Sequence, residues 1–113
     1  MDAVTQAYHA ITEMIRAALA ARSLQVAEEH HHAESCGSRY LVVTGARETL
    51  CLVWDGTEGC FRLQSCRKPD DFHVGSWHEI GLERFDPRSQ GAQRVQEIVG
   101  SMEASLMRHL GAA

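Results

Sequence analysis

A chain of 113 residues with a net charge of −4 has room for one hydrophobic core, so a single domain spanning 1–113 is expected. Apolar content of 44% and charged content of 23% belong to a globular protein and exclude a disordered one. The acidic balance argues against nucleic acid as a partner. The absence of any run of ~20 apolar residues argues against a membrane span.

The first element predicted is a helix from about residue 3 to about 22. Val4, Tyr8, Ile11, Ile15, Ala18 and Leu19 recur at steps of three and four, which places them on one face. Asp2 is positioned to accept the unpaired amide hydrogens of the first turn. The acidic start lacks the basic, apolar pattern of a secretory leader, so a cytoplasmic protein is expected. The cysteines Cys36, Cys51, Cys60 and Cys66 are then expected as reduced thiols. None has the C-x-x-C spacing of a zinc or redox motif.

Ser23 to Ser35 reads as an edge strand with a polar end. Leu24 and Val26 face the core in this reading, with Glu28, His30 and His32 following on the same side. Charge and histidine at an edge discourage unwanted strand pairing.

Arg39 to Cys66 reads as three strands joined by two tight turns. Gly45-Ala46 and Gly56-Thr57 each place glycine first, as two-residue type II′ hairpins require. Leu41, Val43, Leu50, Leu52 and Trp54 then share one face. With Gly56-Thr57 as the second turn, Leu52 stands opposite Phe61 and Leu50 opposite Leu63. The other face carries Tyr40, Val42, Cys51, Val53, Cys60, Arg62 and Gln64. That face is more apolar than solvent-facing sheet, which normally alternates to polar.

Arg67 to Gly75 reads as a loop, and Trp77 to Phe85 as a fifth strand with Ile80 and Leu82 on one side. Asp86-Pro87 has the order of an N-cap and first helical residue. The helix after it carries Val95, Ile98, Val99, Met102, Leu106 and Leu110 at helical spacing. Gly91 and Gly100 each weaken it by up to ~1 kcal/mol relative to alanine. The expected fold is α+β: a four- to five-stranded antiparallel meander flanked by an N-terminal and a C-terminal helix packed on one face, α-β-β-β-β-(β)-α.

No motif here specifies a reaction, so no catalytic residue and no cofactor are assigned. His30 and His32, two apart in a strand, are within reach of one metal ion, but no third ligand completes the spacing. A solvated strand end accounts for them as well. Thiol catalysis has no local signature. Glu28 and Glu29 point to opposite faces, so they do not flank one bond. Neither G-x-x-x-x-G-K-[ST] nor G-x-G-x-x-G is present.

The remaining reading is recognition through surface. Tyr40, Val42, Cys51, Val53 and Arg62 give the aromatic, aliphatic and arginine mixture of interface centres. The expected function is therefore a small non-catalytic interaction domain of adaptor, chaperone or immunity-protein type. It binds a protein partner or its own twin through the helix-free sheet face. The alternative is a small metal- or ligand-binding enzyme, with its cleft between the sheet and the Phe72-to-Trp77 loop. His73, Trp77 and His78 would stand near that mouth.

Overall fold

The computed structural model describes residues 2–20, 25–32, 38–44, 49–66 and 77–111, and for 25–32, 38, 44 and 66 the backbone alone. Helix α1 spans Ala3–Ala20, strands β1 to β5 span Gln25–His32, Ser38–Thr44, Thr49–Asp55, Cys60–Cys66 and His78–Arg84, and helix α2 spans Ala92–Gly111. The strands form one antiparallel sheet in the order β1-β2-β3-β4-β5. The α+β meander expected from the sequence is the observed fold, with β5 included. Leu24, Gly45-Ala46 and the 67–75 segment read from the sequence as a loop lie outside the described residues.

Both helices bury their stripes on one face. Ala7, Tyr8, Ile11, Ile15 and Leu19 of α1 join Ile98, Met102 and Leu106 of α2 in the core. The sheet meets them with Leu41, Val43, Leu50, Leu52, Trp54, Phe61 and Leu63. These are the even-phase positions of β3 and their cross-strand partners, so the period of two selects the face. Trp54 and Phe61 stack with ring centroids 4.6 Å apart, and Phe85 closes the cluster edge-on to Trp54 at 6.4 Å.

The turns are longer than the glycine positions imply. Thr44 pairs with Thr49 and Asp55 with Cys60, which leaves four residues in each connection. Leu52 consequently stands opposite Leu63, and Trp54 opposite Phe61, a slip of two residues from the expected register. A slip of two preserves the faces. The second turn is stabilised by its own aspartate: Asp55 Oδ1 accepts from the backbone amides of Thr57 and Glu58, both at 3.0 Å. Gly59 closes it at φ 68°, in the left-handed region that glycine enters at little cost. Gly59, not Gly56, is the residue the turn needs.

Two bulges correct the strand readings at the edges. In β1 the register slips between Val26 and Glu28, so Val26 is opposite Val43 but Glu28, His30 and His32 are opposite Val42, Tyr40 and Ser38. The histidines are therefore out of phase with Val26, not in line with it. In β5 the slip falls against Leu63 and Gln64. Ile80 packs against the core, whereas Leu82 is exposed on the opposite face at 37%. An extra residue in one strand reverses the alternation downstream of it.

The start of α2 differs as well. Asp86 anchors a turn, accepting from the Arg88 amide at 2.9 Å and the Ser89 hydroxyl at 2.8 Å. The helix begins only at Ala92, and the Gly91 carbonyl accepts its first bond, from the Val95 amide at 3.2 Å. Gly91 is thus a cap and not an interior weakness. At the other end of the interface, Gly81 lets α2 approach β5. A Cβ there would lie 3.2 Å from Met102 Sδ and 3.3 Å from Ser105 Cβ. Glu83 ties the same two elements together, paired with Arg94 at 3.1 Å and hydrogen-bonded by the Ser101 hydroxyl.

Gly81→Val is expected to destabilise the fold by about 1–3 kcal/mol through overpacking, while Gly100→Ala, inside α2 with open space around the position, is expected to stabilise it by up to ~1 kcal/mol. Urea unfolding of the two variants measures the contrast. The Asp86 carboxyl is held below its ordinary 3.8, chiefly by the Arg88 amide and then the Ser89 hydroxyl. A depressed folded value stabilises above the unfolded value, and that contribution disappears as pH falls through the folded one. Asp86→Ala should therefore be less stable than wild type at neutral pH and converge with it below pH 3.8, as acid-dependent thermal unfolding would record.

Candidate functional site

Two regions carry chemistry: the helix-free face of the sheet and a cleft at one end of the helix layer. On the helix-free face, Val42, Cys51 and Cys60 are buried to 3%, 7% and 0% exposure. Tyr40, Val53, Arg62 and Gln64 remain partly open. Of the five residues expected to form a docking surface, Val42 and Cys51 are therefore closed to contact, and Tyr40, Val53 and Arg62 are accessible. Leu82, opposite Arg62 on β5, joins the accessible strip. Its exposure was hidden in the sequence by the Ile80 bulge.

Arg62 is not idle on this face. Its guanidinium reaches Glu79 at 2.7 Å and Asp55 at 3.8 Å, clamping β3, β4 and β5. The Glu79 hydrogen bond raises its pKa further above the ordinary arginine value. Cys60 lies on the same strand with its thiol pushed up, first by burial. A buried, protonated thiol is a small hydrophobe and a poor nucleophile.

The side chains of His30 and His32 and the whole of His73 lie outside those described. His78 is exposed at the start of β5, paired with Ser65. Among the described residues, no group of three or more histidine, cysteine, aspartate or glutamate side chains is placed to hold one metal ion. No helix among them is long and apolar enough to cross a membrane.

The cleft lies at the opposite end of β5, where β3 turns into β4. It is an open cleft of about 770 Å³ between the first turn of α1, the 56–59 turn and the 85–90 connection. Trp54 and Phe85 form its base, Ala3, Val4 and Pro87 its apolar walls, and Arg39, Arg84 and Arg88 its cationic groups. Arg39 is in phase with Leu41 and pairs with Trp54 across the sheet. Its guanidinium lies 5.5 Å from the centre of the Tyr8 ring and donates to the Thr5 hydroxyl. Asp2 caps α1 by accepting from the Thr5 amide at 2.7 Å. That bond lowers its pKa first, with the Arg39 charge adding to the effect.

The sequence reading missed this cleft. Its residues come from four separate stretches, and no local pattern announces their meeting. Only the placement of Asp2 as a cap was legible.

Comparison of the chain with protein-family models, with curated proteins and with solved structures returned no match.

The buried Cys60 is expected to resist iodoacetamide in the folded protein and to react at an ordinary thiol rate once urea unfolds it. Peptide mapping by mass spectrometry resolves the two states; rapid labelling of Cys60 under native conditions would contradict the protonated, enclosed thiol.

Proposed function

We propose that the chain is a small non-catalytic interaction domain, of adaptor, chaperone or immunity type, that docks a protein partner or a second copy of itself on the helix-free face of the sheet. One observation carries this reading. Both helices occupy one face, and the other keeps Tyr40, Val53 and Leu82 at least partly open beside the Arg62–Glu79 pair. An apolar strip edged by a fixed charge pair has the make-up of an interface centre with its polar rim. The strip sits on paired backbone, with Tyr40, Val53, Arg62 and Leu82 opposite one another across β2 to β5, which lowers the ordering cost of binding.

The same reading places the protein in the cytoplasm. Its support is the presence of Cys51 and Cys60 as free thiols. Reduced cysteines are usual where glutathione keeps them so.

Leu82→Glu and Val53→Glu test the surface. Light scattering after size exclusion reads self-association, and capture from the native host reads a partner. Either interaction is expected to weaken at least tenfold in both variants, with an unchanged circular-dichroism spectrum for Leu82→Glu, whose side chain is already exposed. A binding event that survives both substitutions, or a strict monomer that captures nothing, overturns the proposal.

A further inference from the structure

We infer that the cleft between the start of α1 and the 85–90 connection binds a small organic anion, with an oxyanion head of carboxylate or phosphate type and a short apolar body. This goes beyond the docking surface and uses none of its residues. The volume of about 770 Å³ lies in the range of small-molecule sites, ~300–1,000 Å³.

Charge pairing supplies the main argument. Elsewhere Arg16 meets Glu13, Arg62 meets Glu79 and Arg94 meets Glu83, while Arg108 donates to the Ser105 hydroxyl. The three arginines of the cleft differ. Among the described residues, Arg39, Arg84 and Arg88 form no ion pair. Arg84 reaches only the Glu58 backbone carbonyl, at 3.4 Å. Asp2, Glu58 and Asp86 also line the cleft and keep their charge, Asp2 and Asp86 accepting from the amides of Thr5 and Arg88, but among the described residues none of them lies within ion-pair distance of the three guanidiniums. Glu58, on the exposed turn, is the one carboxylate there without such a bond. The positive end of α1 adds to the same field.

Arg39 is the anchor. It is half-buried. Tyr8 and Thr5 hold the guanidinium in place before any ligand arrives, so little side-chain freedom remains to be lost on binding. A planar guanidinium matches a carboxylate or phosphate edge with two parallel bonds. The apolar part of the ligand would lie along Val4, Pro87 and the edge of Trp54.

The probe is 4-phenylbutyrate, titrated into the full chain and followed by amide and indole chemical shifts. Saturable shifts are expected at Gly56, Gly59, Arg88 and the Trp54 indole. The neutral 4-phenylbutanamide should bind at least tenfold more weakly. Arg88→Gln and Arg84→Gln, both at exposed positions, should each weaken the acid at least threefold. Leu82→Glu, on the opposite face, should leave it unchanged, so failure here is distinct from failure of the docking surface. The inference is overturned if these resonances do not move, if acid and amide bind alike, or if both arginine variants match wild type.

Discussion

The structure depends on one-sided burial of a meander. Leu52, Phe61 and Leu63 at its centre are almost completely enclosed, and they are enclosed because two amphipathic helices lie over the same face. Neither helix would be stable alone, since isolated helices of this length are marginal in water. Gly81 is where this arrangement is tightest. With no Cβ it admits Met102 and Ser105, and the Glu83–Arg94 pair beside it fixes the angle of α2 on β5.

Placing both helices on one face has two consequences for function. On the other face Val42, Cys51 and Cys60 are enclosed while Tyr40, Val53 and Leu82 are not. The placement also leaves an opening at the end of the helix layer, because α1 begins at Ala3 and α2 only at Ala92. The 85–90 connection crosses that opening without filling it, and the cleft results. Arginine gathers there from β2, β5 and the connection. The two surfaces are chemically different, one an apolar strip with a paired charge and the other a cleft lined by three arginines and three carboxylates beside Trp54 and Phe85.

Much of the core was readable from periodicity. The stripes Tyr8-Ile11-Ile15-Leu19 and Ile98-Met102-Leu106 follow the helical period, and all seven residues are buried. The alternation through Leu41-Val43 and Leu50-Leu52-Trp54 named the inner face correctly even though both turns were read two residues too short. That error was harmless because side-chain direction repeats every two residues. A slip of one is not harmless, and this is why the bulges at Val26–Glu28 and near Ile80 misled the reading of both edge strands. Asp86-Pro87 misled for a different reason: aspartate begins turns as readily as helices, and the local bonds to Arg88 and Ser89 favoured the turn.

The amino-acid order alone determined which segments form helix and strand, which face of each is apolar, and that one core would serve the whole chain. These follow from hydrophobic spacing and are local properties. Tertiary structure alone decided that Leu82 is exposed while Val42 is not, and that Arg39, Arg84 and Arg88 share a cleft around Trp54. Those depend on bulges, on the length of turns and on where two helices stop. Each is settled by packing between residues far apart in the chain, which leaves no signature in any short window of it.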